Sequence, residues 1–107
     1  MDKETLIVST DEMLTYLNLD NTAENNEVVA GLVEDAESYI NSTFNSKNLS
    51  ASELSKDRVY TSAVKALASF MFYDRTLSQG VPLGIQQRIT LLKGRYDKWQ
   101  DGKNGNQ

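Results

Sequence analysis

The chain has 107 residues, 39% of them apolar, and a formal net charge of −4, which suits one domain around a single core. It contains no cysteine and no histidine. That excludes disulfides, Ser–His and Cys–His nucleophiles, and zinc sites of the usual ligand types. Of the enzymatic routes a carboxylate-only metal site is left, so the chain is expected not to be an enzyme and to use no cofactor.

No run approaches the roughly 20 apolar residues of a membrane span. The opening MDKETLIVSTDE lacks a signal-peptide pattern, because its apolar piece is only Leu6 to Val8 with acids on both sides. The charge is unevenly placed. Residues 1–45 carry ten acids and one base, a net −9, whereas residues 46–107 carry ten bases and five acids, a net +5. Two electrically different sides allow a molecule to meet a copy of itself head to tail. Chance and solvated helix faces give the same numbers.

Residues 1–8 read as an N-terminal extension. Ser9 and Glu12 have the spacing of a capping box, and Asp11 and Glu12 suit the first turn of a helix. Met13, Leu14 and Leu17 give it an apolar stripe, and Asn18 to Asn21 ends it after about two turns. A second helix is predicted from Glu24 to Phe44, with Val29, Leu32, Val33, Ala36, Ile40 and Phe44 at three- and four-residue steps. Glu27, Glu34, Ser38 and Asn41 fall on its opposite side with Gly31, which is there either by tolerance or for close approach of another backbone. Residues 45–57, NSKNLSASELSKD, read as a long loop with a helical turn near Ser50 to Leu54.

The third helix is predicted from Arg58 to Ser78, with Gly80 ending it and Pro82 blocking continuation. Steps of about 100° give a broad apolar arc with Ala63, Val64, Leu67, Phe70 and Met71 as core. Arg58, Lys65, Ser69 and Thr76 form a polar stripe. Phe72 falls in that stripe with Tyr73 at its edge, so these two are the candidate intersubunit surface. Asp74 falls on the apolar arc, where a carboxylate needs a partner or an exit to solvent. Asp74 with Arg75 is the candidate buried ion pair, with Arg88 and Arg95 as the other candidate cations. The fourth helix follows VPLG and runs to about Trp99, with Ile85, Ile89, Leu92, Tyr96 and Trp99 as its apolar stripe and Arg88, Lys93, Arg95 and Lys98 elsewhere. Residues 100–107 read as a disordered polar tail. The fold class is all-α: a small bundle of three main helices and a short N-terminal helix, with a long loop between helices 2 and 3.

No glycine-rich phosphate cradle is present. Glu34 and Asp35 are neighbours in sequence and point apart, as solvated surface does. The basic fourth helix could read DNA, but its Tyr96 and Trp99 lie on the apolar stripe and the protein is acidic overall.

Four segments, in order, carry a resemblance: TDEMLTYLNLD, NNEVVAGLVEDAESYINSTFN, AVKALASFMFYDR and VPLGIQQRITLLKGRYD. Together they are similar to the small head–tail connector, or adaptor, proteins of tailed bacteriophages and prophages, over Ser9 to about Trp99. The stretch after Phe44 lacks the Gly-Arg turn often seen in that family, and Arg95-Tyr96 reverses its usual Tyr-Arg order. The resemblance implies a helical connector domain over residues 9–99. It also implies a virion protein assembled in the bacterial cytoplasm as a homo-oligomeric ring, a dodecamer in the virion, beneath the portal protein. Head-closure or tail proteins would be its other partners. DNA would pass through the centre without sequence-specific binding, and no membrane is involved. A head-to-tail ring needs two different patches. Glu27 and Glu34 on one side, and Arg88, Lys93 and Arg95 on the other, are candidates beside Phe72 and Tyr73. The alternatives are a small phage or prophage DNA-binding regulator using the basic C-terminal helix, and a helical interaction module that forms no ring.

Overall fold

Ser9 is extended and its Oγ accepts the Glu12 N–H, so the first helix, α1 (Thr10–Leu17), begins where the spacing predicts. The other half of the expected box is diverted: the Glu12 carboxylate reaches Lys65 Nζ at 2.7 Å. Asn18 closes α1 in the left-handed region, at φ 60°, which a short polar side chain tolerates. The computed structural model describes residues 7–46, 49–74 and 80–97.

Thr22 caps α2 (Ala23–Asn41) through the Asn25 N–H. The helix stops three residues before the predicted Phe44. Ser42 and Thr43 turn their hydroxyls back onto the Tyr39 and Ile40 carbonyls, each at 2.6 Å, in place of further helical turns. Phe44 is nevertheless buried just past the end. The helical turn expected near Ser50 to Leu54 within the long loop is a short helix, α3 (Ala51–Lys56), opened by a complete capping box between Ser50 and Glu53.

The central helix, α4 (Arg58–Tyr73), packs against α1, α2, α3 and α5. It ends at Tyr73, short of the predicted Ser78, with Asp74 as its cap. The predicted positions Thr76 and Ser78 lie outside the described residues. Leu67 is fully buried as expected, but Phe70 and Met71 sit half-buried at the edge of the core. α5 (Leu83–Leu92) starts ahead of the predicted point, directly after Pro82, whose fixed φ suits a helix entry. Ile85, Ile89 and Leu92 point into the core. A π-helical turn, Lys93–Asp97, follows. Trp99, Lys98 and the expected 100–107 tail lie outside the described residues.

The result is an all-α globule of five helices and one π turn, with no strand among the described residues. Its innermost side chains include Val8, Met13, Val33, Ile40, Tyr60 and Leu67. Val8 is fully buried, so the chain already packs on the core just before α1. Leu67→Ala is expected to lower the unfolding free energy by about 2–5 kcal/mol. A Cβ on Gly31 would meet nothing within 4 Å. Gly31→Ala is therefore expected to raise the stability of the isolated chain by about 0.5–1 kcal/mol. Urea melts of both variants check the pair of values.

Candidate functional site

Lys56 ends α3 and Arg58 begins α4, so Asp57 is the single residue between them. Its N–H caps α3 on the Leu54 carbonyl. Its Oδ1 accepts the Val59 and Tyr60 N–H groups at 2.9 and 3.3 Å. Its Oδ2 accepts Arg95 Nη1 at 2.7 Å and the Tyr96 hydroxyl, both supplied by the π turn. The Asp57 side chain is 3% exposed and that of Arg95 49%. Burial alone would raise Asp57, but the bonds from Tyr96, Arg95 and the Tyr60 N–H outweigh it and hold the carboxyl below the usual carboxylate range. Burial, then the Asp57 carboxylate, pushes Tyr96 up, and the bond to Asp57 does the same for Arg95. The next residue of the turn, Asp97, accepts the Asn45 N–H at 2.6 Å, so the end of α2 joins the same knot. Phe44 fills its centre, with ring centroids 6.2 Å from Tyr60 and 5.4 Å from Tyr96.

Glu37 is a second buried carboxylate, on α2. Its Oε2 accepts the Ile7 and Val8 N–H groups at 2.7 and 2.8 Å and so pins the segment before α1. Burial raises its pKa; the two N–H bonds oppose this without cancelling it, and Glu34 adds to the rise. Tyr60 is raised by burial and by Glu37, and its hydroxyl donates to Asn41 Oδ1 at 2.8 Å. Asn41, expected on the polar side of α2, thus holds a core tyrosine. Both carboxylates were missed as structural anchors, although each left a trace. Asp57 stands directly before a helix, as N-caps do. Glu37 lies one turn from Val33 and Ile40 on the apolar stripe.

The surface divides into two unlike faces. α2 holds no lysine or arginine, and Glu24, Glu27, Glu34 and Asp35 are exposed along it. None of these four has a cation within salt-bridge range among the described residues. Tyr39, 40% exposed, stands on the same helix. Between α4 and α5 runs a groove of three adjoining depressions that share Arg88. Arg58, Ser62, Lys65, Ser69 and Tyr73 line it from α4 at helical spacing; Gly84, Arg88 and Leu91 line it from α5. Tyr16 of α1 closes one side, with Lys65 Nζ 5.9 Å from its ring centroid. Tyr73 is 75% exposed and Leu91 57%.

The predicted site residues separate across these features. Glu27 and Glu34 lie on the acidic face and Arg88 in the groove. Arg88 Nε donates to Ser62 Oγ and Nη1 to the Gly84 carbonyl, each at 3.0 Å. Arg95 is drawn into the Asp57 clamp, and Lys93 is exposed on the π turn away from the groove lining. Tyr73 is the exposed aromatic, whereas Phe72 is half-buried against the core with its ring edge-on to Tyr73, centroids 5.0 Å apart. Asp74 is half-buried at the end of α4. Arg75, and with it the expected Asp74–Arg75 pair, lies outside the described residues. Among the described residues the ion pair with a buried carboxylate is Asp57–Arg95, whose guanidinium is half-exposed. No group of three or more carboxylates placed to hold a metal ion occurs among the described residues, and no helix there is long and apolar enough to cross a membrane.

No protein-family model, curated protein or solved structure matches the chain.

The two carboxylates predict opposite responses to acid. Asp57, depressed in the folded state, contributes stability that is present above its unfolded value of about 3.9 and lost as pH falls through the lower folded value. Asp57→Asn is expected to lose about 1–3 kcal/mol at neutral pH, and its unfolding free energy should fall less steeply than the wild type's below about pH 4. Glu37, raised in the folded state, contributes stability that is full below its unfolded value of about 4.3 and lost as pH rises through the higher folded value. Relative to Glu37→Gln, the wild type should therefore gain stability as pH is lowered from neutral. Urea melts of the three proteins across this range check both signs.

Proposed function

We propose that the chain is a head–tail connector of a tailed bacteriophage or prophage: a structural virion protein that forms a ring of identical subunits beneath the portal and joins it to head-closure or tail proteins. In this reading α2, α4 and α5 are the three main helices of the connector bundle, α1 is the short opening helix, and α3 is a capped turn inside the connection between α2 and α4. The protein does no chemistry and takes no cofactor; DNA passes along the ring axis.

The observation that carries the reading is the pair of unlike faces on one small helical body. A closed ring is built from a heterologous contact, in which one patch of a subunit meets a different patch of the next. An α2 face with four exposed acids and no cation, and a groove containing Arg58, Lys65 and Arg88, are such a pair. The sequence resemblance supplies the biological setting. The basic end of the chain suits DNA reading less well, because Arg95 is committed to Asp57.

Light scattering coupled to size exclusion, with and without the portal oligomer of the same phage or prophage, tests this. A discrete ring, alone or on the portal, is expected. A chain that neither assembles nor binds portal, and that instead binds random duplex DNA with a steep salt dependence, overturns the proposal in favour of the regulator. Tyr73→Ser is expected to change the stability of the isolated chain by less than about 0.5 kcal/mol, as exposed substitutions do, while weakening assembly.

A further inference from the structure

We propose that the groove between α4 and α5 is the docking site for the acidic outer face of α2 from a second copy of this chain. The inference rests on the reading above that copies assemble head to tail, and it names the two surfaces that meet.

Charge comes first. Arg58 has no anionic partner among the described residues. Arg88 spends two of its donors on Ser62 and Gly84, which fixes the guanidinium over the groove floor and leaves the rest without a partner among the described residues. Lys65 is already matched by Glu12, so the groove's surplus is carried by the two arginines. On α2, Glu24, Glu27, Glu34 and Asp35 are exposed with no cation in reach among the described residues. Each surface lacks what the other has.

Length and relief agree. At about 1.5 Å per residue, Glu24 to Ser38 spans about 21 Å and the groove wall from Arg58 to Tyr73 about 22 Å. Gly31 lies between Glu27 and Glu34 with open space where its Cβ would be, so the face carries a notch at mid-length. Tyr16, 52% exposed, borders the groove beside Lys65, also at mid-length, an aromatic anchor of the type that fills notches at interfaces. Apolar contact at the centre with charges around it is the usual anatomy of a specific interface. Because α2 buries its other face on α4, the acidic face and the groove are separate patches, and the contact repeats from copy to copy.

The test is a charge exchange on the full chain, read by sedimentation and light scattering in solution and on the portal oligomer. Arg58→Glu sits in the first turn of α4, where an acid suits the helix dipole, and cancels the groove's surplus; Arg58→Glu/Arg88→Glu reverses it. Arg88→Gln is the second groove variant. Glu27→Lys/Glu34→Lys/Asp35→Lys reverses the α2 face, leaving three bases and one acid. Each variant alone is expected to self-associate at least about tenfold more weakly than the wild type, and wild-type association to weaken with salt. An equimolar mixture of Arg58→Glu/Arg88→Glu with Glu27→Lys/Glu34→Lys/Asp35→Lys is expected to recover association, because every groove in the mixture then finds a face of opposite sign. Wild-type assembly that the single variants reproduce undiminished, or a mixture that does not recover, overturns the pairing and leaves the ring reading standing. A wild type that stays monomeric both alone and on the portal overturns both. Duplex DNA retained by the wild type and released by Arg58→Glu and Arg88→Gln would assign the groove to phosphate and overturn the pairing.

Discussion

A carboxylate that is almost wholly removed from water must be surrounded by donors, and Asp57 is the place where this chain meets that demand. Its four acceptor contacts come from two regions distant in sequence: the first turn of α4, and the π turn almost forty residues later. Its own N–H finishes α3. One side chain therefore sets the corner between α3 and α4 and the position of the C-terminal turn. The π turn is part of the same solution, since it is the segment that delivers Arg95 and Tyr96 to one oxygen. Regular helix is given up locally where a tertiary contact requires it.

Glu37 performs a related task at the other end of the chain, where it gathers the backbone N–H groups of Ile7 and Val8. The two anchors differ in electrostatics. Asp57 has a cation beside it and is held ionised. Among the described residues Glu37 has backbone donors alone, and burial moves it towards the neutral form. Between them the anchors fix both ends of the described chain to the α2–α4 core. The Phe44, Tyr60 and Tyr96 rings fill the space at the Asp57 end.

Internal use of charge decides what remains on the outside. Arg95 is taken by Asp57 and Lys65 by Glu12. The acids of α2 have no such partners among the described residues, and the arginines of the α4–α5 groove keep donors to spare. A body that neutralised its charges internally would present a bland surface. This one separates them onto two faces, which is the property that a head-to-tail assembly uses.

The amino-acid sequence by itself determined the helical class, the approximate course of α1, α2, α4 and α5, and most of the core. Those features follow from local rules: Ser9 as a cap, the three- and four-residue recurrence of Val29, Val33, Ala36 and Ile40, and the Ile85, Ile89 and Leu92 stripe. The acidic and basic halves were legible for the same reason, because charge is additive along the chain. What only the tertiary structure decided is how each charge is used. Arg95 and Arg88 read alike in sequence, yet one is absorbed by Asp57 and the other lines a groove. Periodicity placed Phe72 on the polar stripe, but the fold lays it against the core and leaves Tyr73 exposed. Periodicity reports only which side of its own helix a residue occupies. Whether that side meets water, core or counter-charge depends on elements brought from elsewhere in the chain, and Asp57 with its partners at Arg95 and Tyr96 is the clearest instance.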